Sequence, residues 1–451
     1  MATERSLGLV VSTLPAAVGY AVAPEVVFSS IAHEPGAVWL DSALSVGDRG
    51  RRSFVARRPV LSASLTGGRI TVARTGEVRR VVFPGDVGDL LALVEKHPAL
   101  FAVGYIGYEA AAALLGQTDR DESGGLPRAC FLFYEAAACF DHRTRCWSST
   151  NAAADGYGDL LVAREAAEPP ARVRLESIAP AVSADEYLDS VDTVLHHIRE
   201  GDIYQANYTT RITVHSGQDP YGTYLRLRQL SPAPYAAYLN FGDYRVLSSS
   251  PERMLRRRGR RVTSGPIKGT IARGLGGRED ARSRRVLLGS TKDRAELLMI
   301  VDLIRNDLGR VAEIGSVTVD SLFRTETYAS LIHLVGDVSA RLKPGAGLRD
   351  VLCALLPGGS ITGAPKRRAV EILRGLERVP RSVYTGVIGY SYGDEADFNI
   401  AIRTMTYQKG EYHLHAGGGI VADSTPEREY AEMMLKARNM LRALGAWTTA
   451  G

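Results

Sequence analysis

The 451 residues are 45% apolar and 23% charged, with a formal net charge of +5. That is the composition of a folded globular chain, without an extended disordered tail, and the length suits one large domain or two to three average ones. The four cysteines (Cys130, Cys139, Cys146 and Cys353) have no CxxC pairing, and the N-terminus lacks a basic stretch before an apolar run; reduced thiols and a cytoplasmic location are expected.

Residues 1 to about 150 read as short strands broken by turn signals, among them 38–42, 69–72 and 130–134. A helix is expected over 87–96 and another from near Tyr108. The longest apolar run, 99–116, contains Glu109 and three glycines, so it reads as buried protein and not as a membrane span. Residues 149–182 are rich in Ala, Pro, Gly, Ser and acids, and read as a connection. Ser183 and Glu186 then form a capping box for a helix whose apolar face is Tyr187, Val191, Val194, Leu195 and Ile198, and which stops at Gly201. A strand-like segment follows at 203–211, a helix at 220–230, and paired strands at 235–239 and 244–249. The basic run 256–261 reads as a hairpin tip turning at Gly259. No aromatic interleaving supports nucleic-acid binding there.

The next stretch, Ser264-Gly265-Pro266-Ile267-Lys268-Gly269-Thr270, holds a lone lysine in a Gly/Pro-bounded turn. With Glu252 it is expected to form an acid–amine pair on the two strands of one hairpin. A long helix is expected over 292–310. Ser290 and Asp293 can cap it, while Glu296 shares the Asp293 face amid the apolar run 297–301, where an acid is costly unless paired or bound to a cation. The last helix starts at Thr425-Pro426 and puts Glu429, Glu432 and Lys436 on one face. Just before it, Gly417, Gly418 and Gly419 offer backbone N–H groups as a carboxylate cradle.

Together these motifs closely resemble the chorismate-utilising enzymes. The resemblance rests on IYQANYTTR (203–211), SSPERML (249–255), SGPIKGTIARG (264–274), DRAELLMIVDLIRNDLGRV (293–311), LLPGGSITGAPKRRAVEIL (355–373), YTGVIGY (384–390), FNIAIRTM (398–405) and AGGGIVADSTPEREYAEMMLKA (416–437), with weaker matches at VWLDSA (38–43) and GYIGYEA (104–110). It implies an α+β fold: the anthranilate-synthase-component-I-like sandwich, two large, face-packed, mainly antiparallel sheets with outer helices. An N-terminal region (1–175) carrying a possible tryptophan pocket would precede a chorismate-binding catalytic region (183–447).

The resemblance also implies chemistry. Mg²⁺ would grip the ring carboxylate of chorismate through Glu296 and Glu432, with Asp293 and Glu429 completing the shell. Arg403, Tyr384, Gly417, Gly418, Gly419 and Lys436 would hold the other carboxylate, and His333, Ser360, Gly269 and Thr270 would line the ring. Water-adding relatives carry a lysine where this chain has Gln205, which cannot act as that base. Amination is therefore expected, with Glu252 as the acid on the departing C4 hydroxyl. Lys268 stands where the anthranilate and salicylate branches carry alanine. That points to a covalent nucleophile, the alternative being a partner for a substrate carboxylate. The expected product is 4-amino-4-deoxychorismate, with ammonia from a separate glutamine amidotransferase, since no glutaminase motif is present. The rival readings are C2 amination to anthranilate and an inactive tryptophan sensor using Ser42, Pro234 and Tyr235.

Overall fold

The computed structural model describes residues 22–117, 125–151, 157, 175–274, 276–328 and 331–447. Among them the strands form two sheets, of eleven and twelve strands, and every named strand pair is antiparallel. Regions expected to follow one another along the chain are interleaved in space. Val38–Asp41 lies between Arg52–Ala56 and Tyr235–Asn240 in the first sheet. Phe101–Ile106 lies between Ala129–Tyr134 and Val387–Tyr392 in the second. Both sheets therefore mix residues from before 175 and after 183.

Side-chain alternation along the strands explains the layering. On Gln205–His215, Tyr208, Ile212 and Val214 point to one side and pack with Leu414 and Ala416 of the neighbouring strand Glu411–Ile420. The helices Ala184–Arg199, Pro220–Leu230 and Pro426–Ala443 cover that face through Tyr187, Val191, Leu227, Met433 and Ala437. The second sheet is covered in the same way by Val87–Glu95, Thr291–Gly309 and Leu348–Leu355. Between the sheets, Phe101, Val103 and Tyr105 of one meet Val38, Ala237 and Leu239 of the other.

The expected helix signals act as expected. Ser183 accepts from Glu186 N, Glu186 accepts from Ser183 N, and Gly201 leaves the helix at φ 79°. Thr425, in contrast, makes no side-chain cap bond, and in the same turn Ser424 Oγ donates to Glu429 Oε1 at 2.6 Å. The apolar run 99–116 is a buried strand followed by the short helix Tyr108–Ala113, and no described helix is long and apolar enough to cross a membrane. Most of the expected connection 149–182 lies outside the described residues. Its end, Ser177–Pro180, is an edge strand on Gln205–His215. The basic run turns at Gly259 (φ 58°). Its Arg257, Arg260 and Arg261 face Asp394, Glu313 and Asp320, so these guanidiniums are committed to local ion pairs.

Leu414 is fully buried beneath the helical layer. Leu414→Ala should lower stability by roughly 2–5 kcal/mol, read as a lower urea midpoint with an unchanged m-value.

Candidate active site

Lys268 and Glu252 come together, but not on one hairpin. The hairpin is Arg253–Arg258 with Arg261–Gly265. Lys268 lies on the following strand, Ile267–Ala272, which pairs with Leu331–Arg341. Pro266 separates the two strands and supplies no N–H to extend a ladder. A β-bulge breaks the register between Lys268 and Thr270, with Gly269 in the left-handed region at φ 68°. Without the bulge these two side chains would share a face. With it, Lys268 Nζ lies 3.9 Å from Glu296 Oε2, while Thr270 Oγ1 lies 2.9 Å from His333 Nδ1. Asp293 packs on the bulge, since a Cβ on Gly269 would stand 2.9 Å from the Asp293 Cβ.

Glu252 sits where the chain passes from the first sheet (Arg245–Ser250) to the second (Arg253–Arg258). It is buried, and burial raises its pKa against the opposing field of Lys268. Ser360 Oγ donates to Glu252 Oε1 at 3.0 Å and Ile267 N donates to the same oxygen at 3.4 Å. With Oε1 occupied as acceptor, the proton of the neutral acid belongs on Oε2. Ser360, expected to line the substrate ring, thus orients the acid. Burial acts in the opposite sense on Lys268, whose pKa is lowered while Glu296 and Glu252 oppose the shift.

The four expected metal carboxylates come from two helices on opposite outer faces, Thr291–Gly309 and Pro426–Ala443. Burial raises the Glu296 pKa; Lys268 and Lys292 oppose, and the charges of Asp293 and Glu432 add to the rise. Glu429 is buried, and burial raises its pKa; Oε1 accepts from Ser424 Oγ at 2.6 Å and Oε2 has no partner among the described residues. Glu432 is half-exposed and paired with Lys436 at 2.8 Å, which lowers its pKa. Asp293 N donates to Ser290 Oγ at 3.2 Å, so Ser290 is the helix cap. Among the described residues no three His, Cys, Asp or Glu converge as a metal cage. Mg²⁺ does not require one, since it commonly keeps several waters and takes one or two carboxylates plus substrate oxygens. The unpartnered Glu429 oxygen and the mutual repulsion of Asp293, Glu296 and Glu432 fit a divalent cation.

The glycines lie at a strand end: Gly417, Gly418 and Gly419 pair with Thr209, Tyr208 and Asn207. Close approach explains all three, a Cβ on Gly417 clashing with Tyr208 O. A Cβ on Gly418 would lie 2.8 Å from Glu429 Oε2. One on Gly419 would lie 3.0 Å from Gln205 Nε2 and 3.4 Å from Lys268 Nζ. Gln205 and Lys268 therefore flank the same side-chain-free spot. Gln205 is fully buried, and neither its Oε1 nor its Nε2 has a partner among the described residues. Lys436, expected to help hold a carboxylate, donates to Gly417 O at 2.9 Å and pairs with Glu432, tying the last helix to the glycine strand.

Arg403 donates to Ser231 Oγ at 3.4 Å and has no carboxylate within ion-pair distance among the described residues; burial lowers its pKa. A partly buried guanidinium without a counter-charge suits an anionic ligand. The pKa of His333 is pushed down to about 3, by burial first and then by Arg403 and Arg49. It is neutral at physiological pH, and its Nε2 has no partner. Tyr384 stacks on His415, with ring centroids 5.4 Å apart. Ser42, Pro234 and Tyr235 line a separate cleft between the sheets. There Ser42 Oγ donates to Arg52 O (2.7 Å) and Pro234 O (3.3 Å), and the Arg253 guanidinium lies 4.9 Å from the Tyr235 ring centroid.

Two site-building groups are absent from the sequence expectations. Arg49 reaches from the loop after Val38–Asp41 to pair with Glu326 (2.9 Å) and Asp337 (3.0 Å) beside the Lys268 strand. Arg381 and Glu377 form a buried pair under the site, at 2.7 Å. Their i,i+4 spacing is a sequence signal, but it reads as a helix-surface pair, whereas the helix Lys366–Leu376 ends before both.

The Gly269 conformation costs a Cβ-bearing residue twice, through φ and through Asp293. Gly269→Ala should leave the fold intact but cut chorismate turnover by about 10²-fold, the scale expected from a misplacement of about 1 Å. Steady-state kinetics beside a circular-dichroism control would check this.

Residues 60–442 match the family of chorismate binding enzymes. Aminodeoxychorismate synthase of Streptomyces griseus is 37% identical over 98% of this chain, which spans only 65% of that longer relative. Aminodeoxychorismate synthase component 1 of Klebsiella aerogenes is 36% identical, with 94% of this chain and 96% of the relative covered. Among solved structures, the crystal structure of anthranilate synthase component I from Streptococcus pneumoniae TIGR4 superposes with a TM-score of 0.74 at 30% identity, covering 88% of this chain and 93% of that one. The two-sheet architecture, the acids carried by the helices Thr291–Gly309 and Pro426–Ala443, and the match across both sheets lead to one assignment: the chain belongs to the family of chorismate binding enzymes.

Proposed function

We propose that the chain is the chorismate-aminating component of an aminodeoxychorismate synthase. It would act in the cytoplasm and convert chorismate and ammonia to 4-amino-4-deoxychorismate for p-aminobenzoate, folate or a related aromatic amine. The ammonia would come from a glutamine amidotransferase partner. The observation that carries the reading is the placement of Lys268 between the buried acid Glu252 and the carboxylate Glu296, opposite Gln205 across Gly419.

In this reading Arg403 and Tyr384 bind the side-chain carboxylate, and neutral His333 faces the ring. Lys268 Nζ attacks C2, both conjugated ring double bonds shift, and the C4–O bond breaks as Glu252 gives its proton, so the hydroxyl leaves as water. Ammonia then attacks C4, the C2–N bond breaks, and Lys268 is released. The excess proton on nitrogen returns to Glu252 or to solvent. While attached, Lys268 blocks C2, which keeps ammonia from giving the C2 product. The raised pKa of Glu252 and the lowered pKa of Lys268 both favour the neutral forms that this sequence needs. Glu296 and Glu432, with Asp293 and Glu429 behind them, would hold Mg²⁺, which when bound supplies a positive charge for the ring carboxylate. The cleft at Ser42, Pro234 and Tyr235 would accept tryptophan as an effector.

Three outcomes are expected. With chorismate, Mg²⁺ and ammonium, mass spectrometry should show aminodeoxychorismate, and p-aminobenzoate only after a lyase is added. Anthranilate formed without a lyase would sink the assignment. Glu252→Gln should lower kcat by about 10²–10⁴-fold, and Lys268→Arg should fail despite keeping its charge. Near-full activity of Lys268→Arg, with no trappable chorismate adduct, would instead make Lys268 a carboxylate partner. Finally, chelation should abolish turnover and Mg²⁺ should restore it.

A further inference from the structure

Arg381 is 1% exposed and touches no expected substrate group, yet its guanidinium meets three separate segments of the site. Nη1 donates to Ile361 O at 2.8 Å, next to the Ser360 that orients Glu252. Nη2 donates to Asn207 O at 2.6 Å, on the strand that begins at Gln205. Nη1 also donates to Thr385 Oγ1 at 3.2 Å, beside Tyr384. Glu377 balances the charge through Arg381 Nε (Oε2, 2.9 Å) and Nη2 (Oε1, 2.7 Å). The same Glu377 Oε1 also accepts from Thr209 N and Oγ1, both at 3.0 Å. Tyr108 covers the guanidinium at 4.2 Å. From the N-terminal half, Glu109 accepts from Arg381 N (2.7 Å) and Ser382 N (3.0 Å).

We infer that Arg381 is a positioning residue for catalysis: it holds the Ser360 segment, the Gln205 strand and the Tyr384 turn in register, and through Ser360 it fixes the acid Glu252. A guanidinium is the group for this task. It presents five N–H donors in a rigid planar fork, whereas an ammonium is a compact point charge. Among the hydrogen-bonded partners, two are main-chain carbonyls on different elements; those elements also meet directly, Asn207 N donating to Thr362 O at 2.9 Å, and Arg381 adds the Tyr384 turn to that junction. The alternative, that Arg381 only stabilises the fold, predicts loss of folded protein with the chemistry of the remainder unchanged.

The inference rests on chorismate as substrate but not on the C4 product, so the test follows chorismate consumption. Arg381→Met, Arg381→Lys and Glu377→Gln are compared with the parent chain, kcat being normalised to the folded fraction from circular dichroism. Arg381→Met should lose about 10²-fold in kcat, with the chorismate KM changed by no more than about threefold because Arg403 remains. Arg381→Lys should not restore kcat. The basic limb of the kcat–pH profile, where Glu252 loses its proton, should also move to higher pH. Ser360 donates to the Glu252 carboxylate and so favours its charged form; loosening Ser360 raises the pKa. The other charges near Glu252, Lys268 on its strand and Arg49 from the first-sheet loop, are unchanged in these variants. If Arg381→Met does not fold, Glu377→Gln decides, with a smaller loss and the same displaced limb expected. A folded variant with kcat within about twofold of the parent overturns the inference. So does activity that falls only with folded fraction over an unmoved pH limb.

Discussion

A buried ion pair, Arg381 with Glu377, joins the parts of this molecule that the chain delivers separately. Removing a guanidinium and a carboxylate from water is costly, and their attraction offsets that cost only when the remaining hydrogen-bonding positions are filled. Here they are filled by Ile361 O, Asn207 O, Thr385 Oγ1 and the Thr209 N–H and hydroxyl. The pair is therefore conditional on its surroundings, and its surroundings are the substrate site. It also coincides with unusual backbone: Ser382, Thr385 and Arg403 lie at φ 57°, 59° and 51°. Such residues cost on the order of 1–3 kcal/mol each and persist only when neighbouring contacts over-determine them. Glu109 on Ser382 N and Arg381 on Thr385 are such contacts.

Burial is the common cause behind the chemistry. The same desolvation pushes Glu252 up, Lys268 down and His333 down to about 3. One enclosed site thus moves an acid, a base and an imidazole toward their uncharged forms. On the outer helices Glu296 faces Lys268 and Lys292, and Glu432 is paired with Lys436, while the buried Glu429 keeps one oxygen unpartnered among the described residues.

Much of this was legible in local sequence signals. The Ser183–Glu186 capping box, Gly201, the Gly259 turn and the apolar faces of the long helices depend on residues a few positions apart, and they appear where those signals put them. The motif run also named Glu252, Lys268, Glu296 and Glu432 before any coordinates. Local signals misled where a distant group took over. Thr425 has cap chemistry, but its side chain makes no cap bond. Gly417 to Gly419 read as a backbone cradle ahead of the last helix, and the tertiary structure adds that the Gln205–His215 strand pairs with them. Glu252 and Lys268 look like hairpin partners, but the ladder with Arg253–Arg258 ends at Gly265, and past Pro266 Lys268 is held only along Leu331–Arg341, the strand that also pairs with Arg261–Gly265.

The sequence by itself determined the element types, the alternation that makes two-layered sheets with outer helices, and where acid, amine and imidazole side chains stand along the chain, because those follow from side-chain chemistry and short-range periodicity. Only the tertiary structure decided which groups meet. The interleaving of early and late strands, the three segments gathered on Arg381, and the approach of Gln205 to Lys268 across Gly419 all depend on contacts between residues far apart in the chain. Their physical reason is shared burial: a polar group inside the sandwich must find its partner wherever the fold brings one, and sequence distance carries no information about where that is.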